Sequence, residues 1–325
     1  MKKYNANIAR DLFLCTTPLQ MVIASKIIES PEYKGEKPDL VLAALSKSDR
    51  YDYYYKNFSN NYRLTIKLTG VKFPFYLYYI VRYFMFHRYR RVYLASIDSS
   101  FFQLLASYIS FDKIITFDDG TANISKDSIY YRDQSDFFSK AKRIIFGLAG
   151  NRYSRKKFIE ESLVHYTIYP DFENISDKLK YVDLIGNIDA EVDGNPEVVT
   201  IILGSCYKQI VKIDDLEGKL INEFVSYVKN IKSDQVYYIP HPRDERDLLP
   251  GIERINDHKI SEEIITDLIK SGRQVILIGF ASSVQFTFLR KERVENIAIK
   301  SNLVKDIFNE LADNLSRHGG KVSKI

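Results

Sequence analysis

Three kinds of residue cluster in this chain have the chemistry for group transfer. The first, Phe117-Asp118-Asp119-Gly120-Thr121, sets two adjacent carboxylates against a glycine. A carboxylate placed there can take a proton from a hydroxyl nucleophile, and the glycine lets the backbone turn sharply behind it. An Asp-Gly turn that only caps the next helix uses the same residues, so the cluster alone leaves both readings open. The second, Pro240-His241-Pro242-Arg243, holds an imidazole between two prolines on a stiff backbone. Such a histidine can protonate a phosphate leaving group while Arg243 balances charge; the plain alternative is a surface loop with a chance histidine. The third kind is the pair of small-residue turns Leu203-Gly204-Ser205 and Ala281-Ser282-Ser283. There, backbone N–H groups and hydroxyls can reach a phosphate, although small residues at such turns also serve packing. Glu262 and Glu263 suit ribose hydroxyls, or simply complement a helix dipole.

Each cluster follows an apolar, β-branched run of strand length. Residues 12–15, 40–45, 63–68, 91–95 and 113–117 read as strands in the first half. Those at 198–203, 235–239 and 274–278 read as strands in the second. Helices are expected at 18–29, with Pro18 in the first turn and Thr16 or Thr17 as cap, at 261–270, with Ser261 as cap, and at 303–317, closing the chain. Unbroken apolar strands alternating with helices predict parallel sheets covered on both faces. The polar segment 174–197, with Gly186, Gly194 and Pro196, interrupts the alternation. The expected organisation is therefore α/β, with two Rossmann-like domains, 1–173 and 195–325, joined by a linker at 174–194 and facing a central cleft. Ligands in such folds sit beyond the carboxyl ends of the strands, where all three clusters fall.

The chain of 325 residues has 45% hydrophobic and 27% charged residues, a globular composition with ample material for a core. Its net charge of +5 suits an anionic nucleotide-sugar or a negatively charged lipid leaflet. No zinc spacing or RNA-binding aromatic motif accompanies that charge, which argues against nucleic acid as a partner. Cys15 and Cys206, one in each half, are expected to be free thiols. No Asp-x-Asp triplet, the usual Mg²⁺ clamp for a diphosphate leaving group, occurs in the sequence. No metal and no resident cofactor are expected.

Taken in order, these segments resemble glycosyltransferase family 52, the bacterial lipooligosaccharide and capsule sialyltransferases. The resemblance runs through Leu14-Cys15-Thr16-Thr17-Pro18-Leu19-Gln20-Met21, Tyr51-Asp52-Tyr53-Tyr54-Tyr55, Val92-Tyr93-Leu94-Ala95-Ser96 and Thr116-Phe117-Asp118-Asp119-Gly120-Thr121. It continues through His165-Tyr166-Thr167-Ile168, Ile202-Leu203-Gly204-Ser205 and Pro240-His241-Pro242-Arg243. It implies a GT-B type fold and metal-independent, inverting transfer of sialic acid from CMP-sialic acid to a galactose-type acceptor of a surface glycan. It implies His241 as general acid, Gly204, Ser205, Pro240, Pro242, Arg243, Ser282 and Ser283 around the donor, and Glu262 on its ribose. Thr16, Thr17, Gln20 and Gly120 would lie on the acceptor side. In a known member of the family the proposed base is an Asp two residues after the Gly-Ser of the Leu-Gly-Ser loop, where this chain has Tyr207. An ordinary tyrosine, with a pKa of about 10, is a poor base at neutral pH. The base is therefore expected at Asp119, with Asp118 or Asp214 as the alternatives. Other readings are a GT-B enzyme with a different nucleotide-sugar, or a non-catalytic relative that binds nucleotide or glycan.

No run of about 20 apolar residues would span a bilayer, and the start of the chain does not read as a secretory signal. The expected location is the cytoplasm. The stretch 73–91 combines Phe73, Phe75, Tyr76, Tyr78, Tyr79, Phe84 and Phe86 with Arg82, His87, Arg88, Arg90 and Arg91. That composition suits peripheral contact with the inner leaflet, where a lipid-linked acceptor would lie; a buried helix with a solvated basic end is the simpler reading. Some relatives form dimers, and the sequence shows no interface signature for or against a homodimer.

Overall fold

The computed structural model describes residues 10–44, 46–85, 87–131, 144–186, 188, 196–231, 233, 235–244 and 246–325. The chain divides into two compact units, Met1–Leu184 and Ile185–Ile325. The first contains a seven-stranded parallel sheet in the order β3-β2-β1-β4-β5-β6-β7. Its strands are β1 (Arg10–Cys15), β2 (Asp39–Ala44), β3 (Leu64–Thr69), β4 (Arg88–Leu94), β5 (Ser110–Phe117), β6 (Ser162–Thr167) and β7 (Leu179–Tyr181). The second contains a six-stranded parallel sheet in the order β10-β9-β8-β11-β12-β13. These are β8 (Val198–Leu203), β9 (Gln235–Ile239), β10 (Glu253–Arg254), β11 (Gln274–Gly279), β12 (Val294–Lys300) and β13 (Lys321–Lys324). In each sheet the chain winds outward from its first strand, then returns and winds the other way. Each sheet therefore has one switch point, between β1 and β4 and between β8 and β11, where the crossovers diverge and leave a crevice.

All the strands expected from the apolar runs are present, with ends displaced by a few residues. Five others carry weaker signals. Strand β6 buries Ser162, His165 and Thr167, polar residues that break the apolar run. Strands β7 and β10 are only three and two residues long. Strand β12 is interrupted by Glu295 and Asn296, and the edge strand β13 begins and ends in lysine. Because β13 follows the helix Asp306–Arg317, that helix does not close the chain as expected. Strand β7, inside the segment expected to be a linker, pairs with β6 in the first sheet; Gly194 lies outside the described residues. The helix Ser261–Lys270 also departs from expectation. Ser261 is its first residue, and Ile260 occupies the cap without a side-chain hydrogen bond.

The amino-terminal ends of β1 and β2 are fixed by ion pairs. Asp11 receives Arg90 Nη2 at 2.9 Å and Arg91 Nη2 at 2.5 Å, and Asp39 receives the Arg63 guanidinium through two nitrogens. Burial pushes the Asp11 carboxyl up, but hydrogen bonds from Arg91 and Arg90 outweigh it and hold the group below the usual range. Between β1 and β4, Phe13 stacks on Tyr93 with centroids 4.2 Å apart. The charges at one end of the sheet thus lock the strands, leaving the opposite, carboxyl end for chemistry. Cys15, the last residue of β1, is buried, whereas Cys206 is partly exposed, and both are free. Burial drives the Cys15 thiol far above its ordinary pKa.

Of the stretch 73–91, the helix is buried on one face only, and His87 and Arg88 beyond it are exposed. Helix Phe75–Tyr83 buries Tyr76 and Ile80 against Phe84 and the rest of the first core, but leaves Phe75 and Tyr78 exposed. Arg90 and Arg91 are spent on Asp11, and Phe86 lies outside the described residues. Among the described residues, no helix is long and apolar enough to cross a membrane.

Candidate active site

In the first unit the polar residues converge where β1, β4 and β5 end. Thr17 caps helix Pro18–Glu29 by accepting from the Gln20 N–H at 3.3 Å, which sets Gln20 in the first turn. There the Gln20 side chain is fully buried and its amide is oriented by its partners. Its Oε1 accepts from the Thr16 N–H at 2.6 Å, and its Nε2 donates to Ser96 Oγ at 3.0 Å and to Asp119 Oδ1. Thr16 Oγ1 lies 2.7 Å from Ser96 Oγ, and Ser96 Oγ donates to Asp119 Oδ2 at 3.2 Å. The Tyr130 hydroxyl donates to the same Asp119 oxygen at 2.6 Å and lies 3.2 Å from Asp98 Oδ1. One phenolic proton therefore stands between two carboxylates. Asp98 itself is exposed, whereas Asp119 is partly buried.

The two adjacent aspartates are turned to opposite tasks. Asp118 has no exposed surface. It accepts from His165 Nε2 at 2.9 Å, Thr167 Oγ1 at 2.7 Å, the Ile168 N–H at 2.7 Å and Asn174 Nδ2 at 3.2 Å. With no exposed surface, it is out of reach of an acceptor hydroxyl. The sequence reading of Asp118 as a second candidate base is therefore corrected: it ties the end of β5 to β6. Gly120, at φ +91°, then reverses the chain, and Asn123 Oδ1 accepts from the Asp119 N–H at 2.7 Å. This reversal presents Asp119 beside the ends of β1 and β4, and its side chain caps no helix. Burial raises the Asp119 carboxyl to about 6; nearby Asp98 adds to the rise, while the hydrogen bonds from Tyr130, Gln20 and Ser96 pull against it. A carboxylate of that basicity is ionised at neutral pH and stronger as a base than an ordinary aspartate.

These opposing causes predict opposite effects on the acid limb of the kcat/KM profile. Asp98→Asn removes a neighbouring negative charge, lowers the Asp119 pKa and moves the limb down by a fraction of a pH unit. Tyr130→Phe removes a donor to the charged form and moves it up by about 1–2 units. A limb unmoved by either change would show that Asp119 is not the titrating base. Ser96, Asp98 and Tyr130 were not foreseen as site residues. Ser96 and Asp98 directly follow β4, so the strand-end rule could have found them, whereas Tyr130 lies in irregular chain without a signal.

In the second unit the corresponding loops follow β8, β9 and β11. Pro240 is buried, His241 partly so, and Pro242 and Arg243 are exposed. The Arg243 N–H donates to His241 Nδ1 at 3.1 Å, so a neutral ring carries its proton on Nε2. The Asp244 N–H closes the turn on the His241 carbonyl at 2.9 Å. The Arg246 guanidinium holds the Asp244 carboxyl below its usual range. Gly204 abuts this turn. A Cβ there would lie 2.6 Å from the His241 backbone nitrogen and 3.0 Å from Pro240 Cα, so only glycine allows the two loops to meet. Ser205 is buried beside it.

After β11, Ala281 adopts φ +49°, a conformation costly for an L side chain, and Ser282 and Ser283 follow at the start of helix Ser283–Thr287. The Ser282 N–H donates to Gln285 Oε1 at 3.2 Å, and Ser282 and Gln285 together form a capping box at the start of this helix. That helix packs on helix Ser261–Lys270, whose first turn holds the buried Glu262 and the partly exposed Glu263. Tyr207 lies in the core against Phe224 and Phe280, and burial drives its hydroxyl far above the ordinary range, so it is no replacement base. Asp214 is exposed, with Lys208 Nζ 3.7 Å from its carboxylate.

Each unit is a doubly wound α/β sheet with polar groups at the carboxyl ends of its strands, the organisation of a two-domain α/β protein with ligand sites at those ends. The chain belongs to glycosyltransferase family 52, whose family model matches residues 41–303. It is 28% identical over 320 residues to the CMP-N-acetylneuraminate:beta-galactoside alpha-2,3-sialyltransferase of Pasteurella multocida, covering 94% of this chain and 98% of that one. It is 29% identical over 308 residues to the N-acetyllactosaminide alpha-2,3-sialyltransferase of Haemophilus influenzae, covering 90% and 93%. Among solved structures, MurG of Acinetobacter baumannii aligns with a TM-score of 0.46 at 9% identity, over 97% of this chain and 85% of that one. The fold assignment rests on this chain's own two sheets.

Proposed function

We propose that this glycosyltransferase moves sialic acid from CMP-sialic acid to a galactose-type hydroxyl of a bacterial surface glycan, with inversion and without a metal. The observation that carries the reading is Asp119: a carboxylate held by three neutral donors at the switch point, with its basicity raised toward neutrality. The relatives named as sialyltransferases along nearly the full chain supply the donor and acceptor classes.

In this mechanism Asp119 takes the proton of the attacking hydroxyl as the new glycosidic C–O bond forms. The bond from the anomeric carbon to the phosphate oxygen breaks, and His241 gives the Nε2 proton to the departing CMP. A single displacement inverts the anomeric centre. The hydroxyls of Ser282 and Ser283, at the helix start that follows the strained turn at Ala281, suit a phosphate oxygen. Glu262 is assigned to the ribose through the family resemblance. CMP leaves as a monophosphate ester, with less charge to neutralise than a diphosphate, so an imidazole acid and fixed dipoles suffice in place of a metal ion. The acceptor is taken to be lipid-linked.

The test is CMP release from CMP-sialic acid with galactose-terminated acceptors in the presence of EDTA. EDTA-resistant turnover, lost in His241→Ala, is the expected result. Measurable CMP binding without release for any acceptor would instead favour a non-catalytic relative, and turnover only with another nucleotide-sugar would replace the donor.

A further inference from the structure

Exposed large apolar side chains in the first unit are concentrated on two short segments that lie side by side. On helix Phe75–Tyr83, the residues spaced by four, Tyr76 and Ile80, continue to Phe84 and face the core. The opposite face is nearly as apolar: Phe75 is 72% and Tyr78 65% exposed, followed by Val81 and then Met85 just past the helix. The helical turn 144–148 adds Ile144, Ile145 and Leu148, of which Leu148 is 86% exposed. The segments are joined from beneath by Phe146, whose ring lies 5.0 Å from Phe73 and 6.2 Å from Tyr76. A single apolar surface of this kind on an isolated protein marks an interaction site rather than ordinary scatter.

The charge around it selects the partner. Between Asp52 and Asp98 the sequence has eight Lys and Arg and no acidic residue; between Asp136 and Glu160 it has seven and none. Those two stretches hold every residue of the apolar surface. The whole chain is only +5, so everything outside them is net acidic. Several of these cations serve the fold, as Arg90 and Arg91 do with Asp11. Lys72 and Arg82 are exposed at the apolar surface, Arg82 lying 5.3 Å from the centroid of the Tyr83 ring. Aromatic rings and aliphatic tips with Lys72 and Arg82 at their edge, in stretches of sequence without an acidic residue, complement an anionic lipid headgroup interface.

We infer that this face, carried by Phe75, Tyr78, Val81, Ile144 and Leu148 with Lys72 and Arg82 at its edge, docks the first unit onto an anionic bilayer surface. Docking leaves the chemistry at the strand ends unaltered and does not depend on which sugar is transferred. The test is flotation of the full chain with phosphatidylcholine vesicles, with and without phosphatidylglycerol. Wild type is expected to float with the anionic vesicles only, and less so at high salt.

Tyr78→Ser combined with Leu148→Ser, and Lys72→Glu combined with Arg82→Glu, are each expected to weaken partitioning by about tenfold or more. All four positions are exposed, and the same variants should keep wild-type thermal unfolding and turnover on a soluble acceptor. Wild type remaining at the bottom of the gradient with both vesicle types would overturn the inference. So would flotation unchanged in both variants. A wild-type dimer that the serine pair turns into a monomer, without flotation, would overturn it in favour of a second copy on this face.

Discussion

Asp119→Asn is expected to lower kcat by about 10²- to 10⁴-fold, the range contributed by a positioned general base. The substitution keeps the side chain's shape, and its carbonyl oxygen still accepts from Tyr130 and Ser96, but it cannot take up the hydroxyl proton. It removes a charge that burial disfavours but also takes the acceptor from Gln20 Nε2, so the folded state should stay within about 2 kcal/mol of wild type. CMP binding, assigned to the other unit's loops, should be unchanged. Single-turnover CMP release beside equilibrium CMP binding separates these effects. Loss of binding together with turnover would point to a collapsed fold, and turnover within tenfold of wild type would place the base elsewhere.

The second large effect is on stability, and it falls on the neighbouring residue. Asp118→Ala should cost about 3 kcal/mol or more, because it leaves several buried hydrogen-bond donors without their acceptor. The Ile168 N–H, the Thr167 hydroxyl and His165 Nε2 would all lose their acceptor in a place water does not reach. Urea unfolding followed by far-UV circular dichroism reads the loss directly. A change below about 1 kcal/mol would mean that the β5–β6 junction is not held by this carboxylate. The contrast between adjacent positions is informative: losing Asp119 should cost rate and spare the fold, whereas losing Asp118 should cost the fold first.

The difference between these aspartates also marks the limit of what the sequence discloses. Helix Pro18–Glu29 and strands β8 and β9 were legible to the residue, because apolar runs and a proline with its cap are local signals. The strand-end rule located the loops carrying Asp119, His241, Gly204 and Ser282. Which way a side chain turns at those ends is set by partners far along the chain. Asp118 meets Thr167 and Asn174, and Asp119 meets Gln20 and Ser96, through contacts without a local pattern. Strand β6 escaped notice for the same reason: its buried Ser162, His165 and Thr167 make sense only once Thr116 and Asp118 lie beside them. The family resemblance, by contrast, was carried by short ordered segments and needed no geometry.

The two cysteines have a practical consequence. Cys15 is sealed at the end of β1 with its thiol held protonated, whereas Cys206 is partly exposed immediately after Gly204 and Ser205. Thiolate is the form that reacts with maleimides and iodoacetamides, so alkylation should stop at one adduct per native chain. That adduct would sit on the turn packed against His241. A fluorophore attached there without prior mutagenesis would report nucleotide arrival as a change in emission, and protection of the thiol by CMP would footprint the same loop by mass spectrometry.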